Sequence, residues 1–309
     1  MIECNRLKSL IPSARGEIRP KMSKKLLYTK TGEIMYIYIP SPHTDKYTRY
    51  SFVHHKNTYI KYDCWRILNI YFCDSDLNPL YSNLPGECEC EGALRERLAD
   101  GSVASDFIGG YHGDETLIDI TFLADGQELD LSQDYPLTEC ESIKATVRSY
   151  LFRVDSDEKV FERTKTDTFT NKGVEIKNRY ETIAKISIER AATSLLGICL
   201  SDNGFEGLIR EHWDNISQKW IEILDFETHQ NKCNAEGFVE AKMRGLLDVY
   251  FNTYDCKING EPTVPYGHFS YQAYNPKRVK IYVDPFRNRT LDVGDIYEST
   301  SFQAMFPPK

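Results

Sequence analysis

Residues 141–154, 159–171 and 174–190 read as three successive strands, each far longer than the roughly 5–6 residues usual in globular proteins. Thr, Val, Ile, Tyr and Phe recur through them, side chains that fit a pleated, half-buried surface and lose rotamer freedom in a helix. Strands this long need neighbours of matching height, so the chain has to build a tall, curved sheet. The joint at Asn171-Lys172-Gly173 is short and ends in glycine, as a tight hairpin requires. Aromatic residues, at 12% with 20 Tyr and 15 Phe, suit twisted sheets better than helical bundles. The expected fold class is mainly β, a large antiparallel β-sandwich with few helices.

The flanking segments follow the same logic. Residues 34–39 are apolar or β-favouring on both faces, and Pro40 ends the run. Residues 58–73 form a long strand that is polar at its start and apolar beyond, as when a strand leaves a solvent-lined groove and enters a core. Asp125-Gly126 is a two-residue hairpin signal, and residues 191–200 are apolar enough for a strand buried on both sides. Phe205, Leu208, Ile209, Trp213, Ile216, Trp220, Ile223 and Leu224 recur at helical spacing and predict one amphipathic helix over 205–224, its Trp stripe packed on the core. Strands at 238–242, 245–253 and 278–283 complete the pattern, with no repeat that would mark a solenoid or propeller. Residues 1–25, with Pro12, Gly16 and Pro20 among charges, read as an N-terminal arm, either a lead-in or a segment that docks a homo-oligomer. Residues 26–309 read as a single large β-sandwich domain.

The 46 acidic and 38 basic residues give a net charge of −8, which argues against general nucleic-acid binding, since that draws on Lys and Arg neutralising phosphates. The expected partner is a carbohydrate or other small polar ligand. No apolar run approaches the ~20 residues needed to span a bilayer, and the first residues lack the apolar core of a secretion signal. A cytoplasmic protein with no membrane partner is expected, export with a larger particle being the alternative. The nine cysteines follow no disulfide-framework spacing and read as mostly reduced thiols. Cys88 and Cys90, among Glu87, Glu89 and Glu91, would share one face of a strand and lack a second Cys or His pair, so neither a metal nor another cofactor is expected.

The strongest site signal is residues 105–115. Gly109, Gly110 and Gly113 stand there among Tyr111, His112, Asp114 and Glu115, directly before an alternating strand. Three glycines allow backbone that a Cβ would resist, and such a loop can aim its polar side chains at one point. A second signal is residues 262–274, where Tyr266, His268, Tyr271 and Tyr274 share one loop suited to stacking on a sugar face. Both loops are expected at the mouth of the sheet's concave face.

Long strands through most of the chain, the core strand Trp65-Arg66-Ile67, the closing strand Lys280-Ile281-Tyr282 and the turn Val293-Gly294-Asp295 resemble the β-supersandwich of galactose mutarotase-like proteins and the sandwich domains of polysaccharide lyases. The resemblance spans roughly residues 26–306 and implies a carbohydrate-active protein, a lyase or a sugar epimerase. It assigns no individual residue, because the mutarotase histidine motifs have no recognisable counterpart in this chain. Local chemistry nominates His112 as the base, Tyr111 or Tyr266 as the acid, and Asp114 or Glu115 to orient the imidazole. Arg66 or Arg287 would neutralise a uronate carboxylate, with Trp65, Tyr266, His268 and Tyr271 lining the substrate. The alternative is a non-catalytic carbohydrate-binding or structural module, for example of a viral tail. A metal hydrolase using His112, Asp114 and Glu115 lacks a spaced histidine pair.

Overall fold

The computed structural model describes residues 25–57, 61–84, 92–110, 113–202, 205–206, 208–214, 217–222, 235–236, 240–272 and 278–307. Strands take up 69% of these residues, and none of them lies in an α-helix.

One hydrogen-bonded path of strands forms the large sheet. Its first half runs β9 (Tyr135–Cys140), β1 (Leu26–Thr31), β2 (Ile34–Pro40), β3 (Tyr47–Asn57) and β4 (Tyr62–Cys73), with β5 (Pro79–Leu84) also paired to β4. Its second half runs β7 (Glu115–Ala124), β10 (Ser142–Phe152), β11 (Lys159–Thr170), β12 (Gly173–Thr182), β26 (Ile296–Phe306), β21 (Asp248–Ile258), β20 (Glu240–Arg244), β17 (Glu211–Asp214) and β18 (Lys219–Glu222). The short strands β8 (Gln127–Glu128) and β22 (Glu261–Pro262) extend β7 and β21. A parallel pairing of only two residue pairs, Tyr62↔Glu115 and Asp63↔Thr116, joins the halves. A ladder that short is a hinge in the sheet, and the two halves face each other across it.

The core fills the space between them. Phe169 of β11 packs edge-on against Tyr50 and Phe52 of β3 with ring centroids 5.4 and 6.4 Å apart, and Phe52 meets Phe122 of β7 at 5.3 Å. Thr48 Oγ1 donates to Met305 O at 2.6 Å, tying β3 directly to β26. Smaller sheets close the ends. β25 (Arg287–Leu291), β13 (Ile186–Ala192) and β6 (Ala93–Glu96) form one, in that order. β14 (Ser194–Cys199), β24 (Arg278–Asp284), β23 (Tyr266–Gln272) and β19 (Ala235–Glu236) form another, and β15 (Ser201–Asp202) pairs with β16 (Phe205–Glu206).

The hairpins follow their turn chemistry. Asp125 and Gly126 both take positive φ, 50° and 81°, between Ala124↔Gln127, which is the type I′ turn that Asp-Gly favours. Gly173 has φ 141°, and a Cβ there would meet Gln303 O at 2.4 Å, so only glycine lets β12 lie beside β26 at this point.

Three expectations need correction. None of the described residues of the helix expected over 205–224 is helical: 205–206, 211–214 and 219–222 are strands, and Trp213 and Trp220 face each other across the β17–β18 hairpin at 5.6 Å. A seven-residue spacing that marks two helical turns also marks two partners straddling a tight turn, here held by Ser217 N–H donating to Asp214 Oδ2. The long strand over 174–190 is β12 and β13, which change partners from β26 to β25 around residues 183–185. Ile183 at that break is 37% exposed rather than core, whereas Ile186 and Ile188 are buried. The run 191–200 likewise splits at Thr193 into β13 and β14. The arm over residues 1–24 and the Cys88/Cys90 segment lie outside the described residues.

Because Phe52 touches the ring of Trp65 as well as Phe122 and Phe169, it spans the sandwich. Phe52→Ala should lower the free energy of unfolding by about 3–5 kcal/mol, measured as the shift in urea midpoint at unchanged m-value.

Candidate functional site

The glycine-rich segment is built as its composition requires. Gly109 and Gly110 take φ of 74° and 62°, and a Cβ on Gly109 would meet Leu151 Cδ2 at 2.3 Å. Gly113 has ordinary φ, but a Cβ there would meet Phe107 O at 2.3 Å. The segment therefore folds tightly against β10. Tyr111 and His112, the proposed acid and base, lie outside the described residues.

What the segment delivers is Glu115. This first residue of β7 is fully buried, and its Oε1 accepts from Ser149 Oγ at 2.6 Å while lying 2.6 Å from Arg163 Nη2. Gly110 N–H donates to Oε2 at 3.3 Å and Cys64 Sγ approaches Oε1 at 3.5 Å. One carboxylate thus ties together β4, β7, β10, β11 and the glycine loop. Asp114 does other work: its Oδ1 accepts from Lys61 N–H at 2.9 Å, holding the entry to β4.

Arg163 belongs to a row that the sequence reading missed. On β11, Phe161, Arg163, Lys165, Asp167 and Phe169 alternate and are all buried, while Thr164, Thr166, Thr168 and Thr170 face the other way, half-exposed. The signal was present. With four threonines on one parity, the charged parity flanked by two phenylalanines had to be the inner one. Cross-strand neighbours continue the polar character, Lys165 beside Asn178 and Asn178 beside Ser299, with Gln303 on the same face of β26.

Burial sets the electrostatics of this face. It opposes the charge on Arg163 more than any single neighbour favours it, but Glu115, Tyr180, Cys64 and Tyr62 together outweigh burial and hold the guanidinium pKa well above the ordinary arginine value. Burial pushes the Asp167 carboxyl up, against the pull of Lys165, whose Nζ lies 3.2 Å from Oδ2. Several polar atoms here have no hydrogen-bond partner among the described residues: Arg163 Nε and Nη1, Asp167 Oδ1, Asn178 Oδ1 and both side-chain atoms of Gln303. Leaving such groups buried and unpaired costs about 1–3 kcal/mol each.

The remaining nominated residues fall in two places. Trp65 and Arg66 are buried in the wall of the sandwich, Trp65 stacked on His54 at 5.4 Å and Arg66 over the Tyr62 ring at 5.6 Å. Tyr266 and Arg287 do come together, the guanidinium lying 3.8 Å from the ring centroid while Arg287 Nε donates to the buried Asp284 at 2.7 Å. His268 and Tyr271 sit on β23 at register positions opposite Tyr282 and Val279. Tyr274 lies outside the described residues. No group of three or more His, Cys, Asp or Glu among the described residues is arranged to hold a metal ion.

Two outcomes test this description. Glu115→Gln leaves the Arg163 charge buried without its partner and should cost about 3–5 kcal/mol in urea unfolding, with part of the loss recovered in Glu115→Gln/Arg163→Met. Asp167 binds its proton more tightly in the folded than in the unfolded chain, so its contribution to stability is present at low pH and is lost as pH rises from about 4 through the raised folded value. Asp167→Asn should flatten that decline, read from urea midpoints measured across the pH series.

No family model and no curated protein sequence matches the chain. Among solved structures it is similar to a galactose mutarotase-like protein from Clostridium acetobutylicum, at 9% identity and TM-score 0.40 over 93% of this chain and 100% of that one. It is similar to the Slr1438 protein from Synechocystis sp. PCC 6803 at 9% identity and TM-score 0.44, over 95% and 99% of the two chains. It is also similar to the GH36 alpha-galactosidase AgaA from Geobacillus stearothermophilus at 10% identity and TM-score 0.43, covering 92% of this chain and 40% of that enzyme. These likenesses are weak and architectural: they lie in the layout of the strands.

Proposed function

We propose that this is a carbohydrate-active protein that receives a sugar against the polar inner face of the large sheet. The observation that carries this reading is the set of buried, unpaired donors and acceptors on adjacent strands, Arg163 Nε and Nη1 and Gln303 Nε2 beside Asp167 Oδ1, Asn178 Oδ1 and Gln303 Oε1. A sugar hydroxyl both donates and accepts, so it needs such mixed partners close together, whereas an apolar ligand would leave every one of them unsatisfied. Alternate residues of a strand stand ~7 Å apart and neighbouring strands ~4.8 Å apart, a grid on the scale of one pyranose ring.

Lyase or epimerase chemistry is the finer reading. Asp167, with its raised carboxyl pKa beside the Lys165 ammonium, is a candidate proton donor. Gly110 N–H holds the glycine loop to Glu115, and His112 and Tyr111 stand in the same loop a few residues away in sequence. In this reading His112 takes the proton beside the anomeric or uronate centre.

A glycan array, combined with an ultraviolet assay for unsaturated uronate and a polarimetric assay for epimerisation, tests both levels. Binding of a glycan that weakens roughly tenfold or more in Asp167→Asn, at unchanged circular dichroism, is the expected result. Product formation that Asp167→Asn or His112→Ala abolishes would establish catalysis, and binding without product would leave a non-catalytic module. No glycan bound at all would overturn the reading.

A further inference from the structure

The three-stranded sheet carries a feature that an acidic chain does not need for folding. Arg190 of β13 is in register with Arg95 of β6 on one side and with Arg287 of β25 on the other, so three arginines stand side by side across adjacent strands. Directly opposed like charges, with Cβ atoms about 5 Å apart, destabilise a sheet. The ladder between β13 and β6 shifts register between Ile188 and Arg190, a bulge at the central member of the row, and bulges re-aim side chains. The Asp284 carboxylate sits between two of the guanidiniums, 3.2 Å from Arg190 Nη2 and 2.5 Å from Arg287 Nη2. Among the described residues Arg95 meets no carboxylate: it donates to Ala104 O at 3.2 Å and lies over the Phe107 ring.

We propose that this row is a binding site for an acidic glycan, a sugar polymer bearing one carboxylate or sulfate per unit. Arg287 and Arg190 are steadied by the rings of Tyr266 and Tyr282, at 3.8 and 5.1 Å, which holds the planar Arg287 guanidinium in place to meet an oxyanion. Arg287 uses Nε and Nη2 on Asp284 and retains its Nη1 donors. Arg289, two residues further along β25, is exposed and adds a positive charge beside the row, and Asn288 Oδ1 holds Arg97 there at 2.8 Å. Neighbouring strands repeat at ~4.8 Å, close to the length of one sugar unit, so successive acid groups of a glycan can meet arginines carried on successive strands. A polynucleotide is disfavoured because the chain as a whole carries −8. The site lies on a different sheet from the polar inner face and does not rest on the sugar reading made there.

The experiment uses the full chain in titration calorimetry at low salt with polygalacturonate and dextran sulfate, alongside neutral dextran, free galacturonate and a single-stranded oligonucleotide. Binding of at least one acidic polymer, absent with dextran and weakened by salt, is expected. Arg287→Gln/Arg289→Gln should weaken it roughly tenfold or more. Because Arg287 holds a buried carboxylate, Arg289→Gln alone decides the matter if the double variant loses its melting transition, and it should still weaken binding and flatten its salt dependence. Absence of binding to both acidic polymers, equal affinity in wild type and Arg289→Gln, equal affinity for free galacturonate, or tighter binding of the oligonucleotide would each overturn the proposal.

Discussion

The carboxylate of Glu115 is the contact on which the arrangement of this protein turns. It stands at the two-residue parallel seam where the first half of the large sheet becomes the second, with Arg163, Ser149, Cys64 and the Gly110 amide converging on it. A buried carboxylate in that position is tolerated because Oε1 meets Arg163, Ser149 and Cys64 and Oε2 meets the Gly110 amide, each partner coming from a different segment. The pair thereby specifies which strands meet at the seam as well as stabilising them. Remove it, and the seam has only two backbone pairings to hold the halves at their angle.

The same contact links architecture to chemistry. Arg163 begins the inward row on β11, so the residue that neutralises the seam also opens the polar face along which Lys165, Asp167 and Asn178 follow. Phe161 and Phe169 bracket the row, and the aromatic core beyond Phe169 keeps the polar face narrow. A low-dielectric surround strengthens the electrostatic contacts along that face and raises the cost of leaving any of them unmade.

Much of the fold was legible because its signals are local. The β-branched alternation of residues 141–171, Asp125-Gly126 and the glycine at 173 each dictate conformation within a few residues, and the structure places strands and turns there. The losses came where tertiary pairing decides. The break at Ile183-Ala184-Lys185 holds no turn residue, so the change of partner from β26 to β25 left no local mark. Trp213 and Trp220 satisfy helical and hairpin spacing equally, and only the partners of β17 choose between them. At the site, the glycines and Glu115 were visible as a chemical cluster, yet Glu115 looked like a helper to His112 because its partner Arg163 is 48 residues away in sequence. The charged row on β11 was readable from the threonines opposite it, a case where the bland parity reveals the informative one.

The position of β26 has a bearing on how the protein is made. This strand lies inside the sheet, paired on one edge to β12 and on the other to β21, although β12 precedes it by everything from Ile183 to Asp295. During synthesis β7, β10, β11 and β12 can assemble by successive hairpins, but the outer edge of β12 then stays open until β26 has emerged. An uncovered edge of ten alternating residues is a template for pairing with another nascent chain. Slow translation or crowded ribosomes would lengthen that interval, so the yield of soluble protein should depend on chaperone supply more than its finished, well-paired sheet would lead one to expect.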